Sequence, residues 1–360
     1  MAGFPSHFDV LIVGGGIAGA SLGAEIAGKK SVLIVEAESQ CGHHSTGRSA
    51  AFWLESYGGP VVAQLTKASH PFLADPPSDF SDHGFLRTRG AVHLATAGGG
   101  EGRIGRAALE KLIPGLLPKW RSAILEPGCA DIDVAGLHAA FLGAFHKNGG
   151  RLRTDSALKS ARRQGPEWQV DLADGESLTA GIIVDAAGAW ADSVARSCGV
   201  EPLGIAPKRR TMVQLRVGRS GLRELPLVDD EAGTFYFKGE GDRTVWLSPH
   251  DEIDTEPCDA APEEMDVAIA IERFQNVVDW PVEAVERRWA GLRSFAPDRV
   301  PVYGFDPAQP AFFWCAGQGG FGIQTSPAAA KLGASLTLGD EPDAMVAGID
   351  PLAFSPARFR

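Results

Sequence analysis

The chain has 360 residues, enough for about two domains at the usual ~150 residues each and for a core that holds a pocket. Its 34 Lys and Arg against 45 Asp and Glu leave a net charge of −11, which excludes a basic nucleic-acid-binding surface, and 44% hydrophobic residues exclude a disordered chain. Glycine is in excess: 44 residues, where a usage of ~7% predicts about 25, without the period collagen requires.

The N-terminal Met1-Ala2-Gly3-Phe4-Pro5 has no basic segment ahead of an apolar core, so no secretory signal is expected. The apolar stretch over residues 8–28 is interrupted by Glu25 and by glycines, so no integral membrane segment is expected either. Cys41, Cys129, Cys198, Cys258 and Cys315 are scattered without a C-x-x-C pair. They predict reduced thiols, a cytoplasmic setting and no metal site.

The first predicted element is a buried strand over residues 9–13, dominated by β-branched residues and ended by glycine. Gly14-Gly15-Gly16-Ile17-Ala18-Gly19 follows, then a helix over 20–27 and a second buried strand over 31–35 that ends at Glu36. This is a βαβ unit with parallel strands. Gly14, Gly16 and Gly19 fit G-x-G-x-x-G between a strand and a helix, where the helix N-terminus favours a pyrophosphate. Glu36 stands 36 − 19 = 17 residues beyond the last glycine, where an acid accepts hydrogen bonds from a ribose. Gly14, Gly16, Ile17, Ala18, Gly19, Glu36 and Ala37 are therefore candidate dinucleotide contacts.

Residues 41–51 are small and polar and not strand-like, whereas a plain NAD domain would continue with another βα unit. Residues 88–95 alternate as an exposed strand does. A helix is predicted over 137–147, followed by Asn148-Gly149-Gly150 and a short strand. A hairpin over 167–178 turns at Asp174-Gly175, and a buried strand over 182–185 runs into a turn at Gly188. Residues 206–290 change character, with alternating runs at 211–217, 234–238 and 244–247 that predict antiparallel strands with one exposed face. The last glycine island, 312–322, precedes a helix over 327–336. These elements predict an α/β nucleotide-binding domain assembled from three separated segments, with an antiparallel-sheet domain inserted between them.

Six blocks, residues 42–51, 130–133, 184–190, 207–210, 289–295 and 318–326, resemble in order the D-amino-acid oxidase family of flavoproteins, which includes sarcosine and glycine oxidases. Within that family the D-arginine dehydrogenases are the most similar, over nearly the whole chain. The resemblance implies FAD, and a Rossmann-type FAD-binding domain (1–88, 135–205 and 290–360) with an inserted antiparallel-sheet substrate domain (89–134 and 206–289). It implies that Ser45, Thr46, Arg48, Ser49 and Ala50 lie along the flavin and its phosphates. Ala157, Ala187, Gly188 and Trp190 would flank the adenosine and pyrophosphate, and Gly319, Gly320, Phe321, Gly322 and Ile323 would cover the isoalloxazine. Gly317, Gly319, Gly320 and Gly322 suit such a wall, because a ring lying on backbone leaves no room for a Cβ. Some relatives tether FAD through a cysteine in the stretch that corresponds to 295–302. None stands there, so FAD is expected to be non-covalent. Cys315 is expected to be inert, and His43 and His44 to be hydrogen-bonding or surface residues.

Oxidation of an amino acid at Cα needs Cα–H held over the flavin N5, and a bidentate arginine suits the α-carboxylate. The resemblance assigns Arg210 and Arg293 to that carboxylate, with Tyr57 and Tyr236 beside them and Gln324 near flavin and substrate. Arg209 and Arg287 are expected in solvated ion pairs. Ala91 stands where D-arginine dehydrogenases carry a guanidinium-binding glutamate, Phe52 replaces a histidine, and Leu54 is apolar. At ~1.5–3 kcal/mol per buried side chain, this pocket is expected to favour a neutral or hydrophobic D-amino acid. Asp229, which aligns toward that pocket, is expected on an exposed acidic turn. No general base stands out; water or Tyr57 is expected to take the amine proton. The implied activity is oxidation of the Cα–N bond to an imino acid, giving a 2-oxo acid and ammonia, with a quinone, a dye-like acceptor or O2 reoxidising the flavin. A sarcosine- or glycine-type amine oxidase, a flavin 2-hydroxyacid dehydrogenase and a non-catalytic flavin-binding subunit are the alternatives.

Overall fold

The computed structural model describes residues 6–360; Met1 to Pro5, on which the reading of the N-terminus rests, lie outside the described residues. The strand His7–Val13, apolar and buried over its last four residues, pairs in parallel with Val32–Val35 on one side and with Ser177–Asp185 on the other. Arg151–Arg153 extends the sheet beyond Val32–Val35, also in parallel. Ser177–Asp185 is one nine-residue strand that serves two further neighbours in turn along its other edge. Its first half closes a hairpin with Glu167–Leu172, and its second half pairs in parallel with Phe312–Ala316. The hairpin arm and the buried strand read separately from the sequence are therefore continuous.

Helices Ile17–Ile26, Gly59–Ala74, Val134–Lys147 and Gly322–Leu338 share one core with this sheet, built on Val10, Ile12, Leu65, Phe141 and Phe313. A second core, including Leu11, Trp168, Ile183 and Trp314, covers its opposite face. This is the two-sided burial a parallel sheet demands. The first helix comes close to its strand because of Gly19: a Cβ there would stand 2.0 Å from the carbonyl oxygen of Gly14.

The second sheet has nine strands and is dominated by Ala206–Val217 and Val282–Phe295, antiparallel from Ala206↔Phe295 to Val217↔Val282. The latter strand escapes a sequence reading because Glu283, Glu286, Arg287, Arg288 and Arg293 break its apolar run. Thr244–Ser248, Tyr236–Gly239, Leu227–Asp230 and Ala91–Ala95 continue the sheet in that order. Helix Glu264–Gln275 covers one face through Val267, Ala270 and Phe274. Arg210 and Met212, on the other face, line a cleft together with Val13 and Val35 of the first sheet. A small third sheet, Phe52–Trp53, Ala130–Ile132 and Leu86–Thr88, lies between the two in sequence. Among the described residues no helix is long and apolar enough to cross a membrane.

Candidate active site

A cleft of about 400 Å³ opens where His7–Val13 and Ser177–Asp185 end, which is where ligands bind in open parallel sheets. Gly14, Gly16, Ile17 and Ala18 line it, with Glu36 and Ala37 from the end of the second strand. Ser45, Thr46, Arg48, Ser49 and Ala50 of the polar loop also line it, as do Ala157, Ala187, Gly188, Trp190, Gly319, Gly320, Gly322 and Ile323. Gly19 and Phe321 stand behind the wall. Gly19 has the packing role described above, and Phe321 packs on Tyr57 and Phe295, ring centres 5.0 and 6.2 Å away.

The end of the cleft built on the first helix is fixed by short hydrogen bonds. Glu36 Oε2 accepts from the Gly15 N–H at 2.8 Å and Oε1 from the Glu38 N–H at 3.0 Å. Thr46 Oγ1 accepts from the Ile17 N–H at 3.0 Å, tying the polar loop to the start of the first helix. Apart from that bond, Gly16 at the cap position brings no side chain and the first turn carries no acid, so the positive end of the helix favours an anionic group. Ser45 Oγ donates to the Leu292 carbonyl at 2.6 Å. Arg48 lines the cleft but is already engaged, donating to the carbonyls of Ala260 and Ala290 and pairing with Asp259. His44 bonds Glu38 at 2.9 Å. Cys315 is buried, and burial pushes its thiol up to about 12, consistent with an inert side chain.

The glycine wall is also close-packed on its protein side. A Cβ on Gly320 would meet Tyr57 Oη at 2.4 Å and Arg293 Nη1 at 2.9 Å, and one on Gly319 would meet the Phe295 ring at 2.3 Å. The space that side chains would need is occupied by the protein itself.

At the other end the second sheet presents Arg210, Met212 and Tyr236 to the cleft, with Arg293 opposite Lys208 in the neighbouring strand. Arg210 is only 3% exposed. Its Nε donates to the Asp251 carbonyl at 2.6 Å and Nη2 to Glu252 at 3.3 Å, while Nη1 is buried without a partner. Burial, and then the charge of Arg293, push the Arg210 guanidinium down to about 10, so it stays cationic at neutral pH. Arg293 Nη1 donates to Tyr57 Oη at 2.9 Å. Tyr57 thus stands behind Arg293, outside the cleft lining, and Tyr236 Oη donates to Met212 Sδ at 3.0 Å.

Gln324 is spent on the protein. Its Oε1 accepts from the Leu54 N–H at 3.1 Å, and its Nε2 donates to Thr66 Oγ1 at 3.0 Å and to the Tyr57 carbonyl at 3.4 Å. It braces the segment that carries Leu54 and Tyr57. Phe52, Leu54 and Ala91 form one apolar cluster with Leu227, Cys129 and both tyrosines. Arg209 points away from Arg210 into Glu263 and Asp266 and is buried, not solvated.

Asp229 is not on an exposed turn. It belongs to the strand Leu227–Asp230, its side chain is 19% exposed, and its carboxylate bonds His93 Nδ1 at 2.7 Å. The alternation of Leu227 with Asp229 signals a shared strand face, but only pairing with Ala91–Ala95 shows which face. His250 was also missed; its ring lies 5.8 Å from that of Tyr236, and burial, followed by the charge of Arg210, pushes it down to about 4.

A family profile described as "DAO: FAD dependent oxidoreductase" matches residues 9–336. The chain is 24% identical over 375 residues to the glycine oxidase of Pseudomonas putida, covering 97% of this chain and 98% of that protein. It is 27% identical over 261 residues to human mitochondrial dimethylglycine dehydrogenase, covering 65% of this chain but spanning only 29% of that protein. In three dimensions it resembles the glycine oxidase of Geobacillus kaustophilus, with a TM-score of 0.81 at 23% identity over 98% of this chain and 99% of that one. These similarities do not single out the D-arginine dehydrogenases.

Proposed function

Because the chain belongs to the DAO family of FAD-dependent oxidoreductases, with FAD as its cofactor, we propose that it oxidises the Cα–N bond of a small neutral or hydrophobic D-amino acid. The products are an imino acid and, after hydrolysis in water, a 2-oxo acid and ammonia. The observation that carries this reading is the Arg210–Arg293 pair. Two cations border one cleft wall, and a buried Nη1 lacks a partner. A buried donor without a partner costs ~1–3 kcal/mol, which an incoming carboxylate would recover.

Bound FAD supplies the acceptor for the two electrons leaving Cα. The chain supplies orientation: Arg210 and Arg293 hold the carboxylate, Tyr57 accepts from Arg293 and sets its position, and Gln324 holds the backbone carrying Tyr57. Phe52, Leu54 and Ala91 offer apolar surface to the side chain. FAD is held non-covalently, and acid precipitation should leave the yellow colour in the supernatant. A quinone, a dye-like acceptor or O2 reoxidises it.

The match to a glycine oxidase over 97% of the chain favours, as a second reading, a glycine- or sarcosine-type amine oxidase. Anaerobic reduction of the bound flavin by D-alanine, D-leucine, glycine, sarcosine and D-lactate separates the readings. The fastest bleaching is expected with the neutral D-amino acids. Faster bleaching by glycine or sarcosine establishes the second reading, and bleaching by none of them contradicts both.

A further inference from the structure

Register places three ionisable groups beyond the apolar cluster. Asp229 is the direct partner of Tyr236 on one side and of His93 on the other, so Asp229 and His93 share a sheet face with Tyr236, which lines the cleft. One pleat along, Leu227 pairs with Ala91, and both belong to the apolar cluster with Leu54 and Tyr57. Ala91 in turn pairs with Glu126. His93 sits between the acids: Nδ1 lies 2.7 Å from Asp229, and Nε2 lies 3.4 Å from Glu126 Oε2. That Nε2 is buried without a hydrogen-bond partner. Glu126 also accepts from the Ser56 hydroxyl at 2.6 Å, next to Tyr57 in the chain.

We propose that His93, Asp229 and Glu126 form the specificity-determining end of the side-chain pocket, taking a neutral side chain with a hydrogen-bonding end and rejecting a carboxylate of the same shape. The proposal rests on the amino-acid reading above. One proton shared by an imidazole and two carboxylates leaves one net negative charge, which repels a second carboxylate. An unpartnered imidazole N–H beside a carboxylate offers one donor and one acceptor. A side-chain carboxamide matches both, with its C=O accepting from Nε2–H and its NH2 donating to the acid. An isosteric alkyl group leaves the donor unmet.

The test compares D-asparagine, D-leucine and D-aspartate, three side chains of one shape, in the FAD-loaded enzyme, with D-alanine as the reference. Both kcat/KM and the dissociation constants from anaerobic rapid mixing are measured. D-asparagine is expected to exceed D-aspartate by about 100-fold and D-leucine by about 10-fold. In Asp229→Asn and Glu126→Gln the preference over D-aspartate should fall at least tenfold, and Asp229→Glu should restore it. A purely structural role would lower all four substrates together. An asparagine-to-aspartate ratio below about 10, or a ratio unchanged in both neutralising variants, overturns the proposal. Should D-alanine also fail to bleach the flavin, the amino-acid reading falls first and takes this proposal with it.

Discussion

The two ends of the cleft are built by opposite means. At the cofactor end, Gly14 to Gly19, Glu36 and Thr46 come from 33 consecutive residues and are locked by main-chain contacts and short hydrogen bonds. At the substrate end, Arg210, Tyr236 and Arg293 come from three strands, and they converge because the long pair Ala206–Val217 and Val282–Phe295 holds its register. The first construction tolerates almost no added atoms. The second depends on charge and on which face each strand shows. Substitutions at the two ends should therefore fail differently.

The largest effect is expected at Gly19. In Gly19→Ala the new Cβ would stand 2.0 Å from the Gly14 carbonyl oxygen, forcing the first helix off its strand. Purified protein should carry little or no FAD, read from the ratio of flavin to protein absorbance; full flavin content would show that the close approach is not required. Next, Arg210→Ala should keep FAD yet lose about 10³-fold in kcat/KM for a neutral D-amino acid, since removing one partner of a buried charged pair costs ~2–5 kcal/mol. Loss of flavin in that variant would blur the division between the two ends.

Tyr57→Phe removes the hydroxyl that accepts from Arg293. A hydrogen bond to a charged group contributes ~1.5–3 kcal/mol, so a loss of about 10-fold in kcat/KM is expected, with FAD content unchanged. The smallest effect is one of stability. The bond from Asp229, and then the Glu126 carboxylate 3.4 Å from Nε2, raise His93 from the ordinary 6.5 to about 10. Its stabilisation is therefore fully present below pH 6.5 and is lost as pH rises through about 10. Thermal melting from pH 6 to 10.5 should show that decline in the native protein and a shallower one in His93→Gln. Identical slopes would mean that the His93 bonds contribute nothing to stability.

What could be read from the sequence follows the same division. The βαβ unit was legible because G-x-G-x-x-G, its flanking strands and Glu36 are near neighbours whose meaning is local. The antiparallel character of residues 206–290 was legible from alternation, but Val282–Phe295 was not, because Glu283, Arg287 and Arg288 keep its first half exposed and its partner strand is distant. Gly319 and Gly320 stand in the cleft wall, yet the protein atoms that crowd a Cβ there, those of Phe295, Tyr57 and Arg293, are known only once the strands are paired. Asp229 failed for the same reason. Two consecutive acids read as a turn, and only the pairing of Asp229 with His93 and Tyr236 draws it into the wall.

The central claim is that the Arg210–Arg293 pair exists to hold an α-carboxylate. It is tested most directly by anaerobic bleaching of the bound flavin with D-alanine and with D-alaninamide, which differ only at that group. D-alanine should reduce the flavin at least about 10³-fold more efficiently, in line with the loss of a buried charge pair. Comparable reduction by the amide would contradict the account.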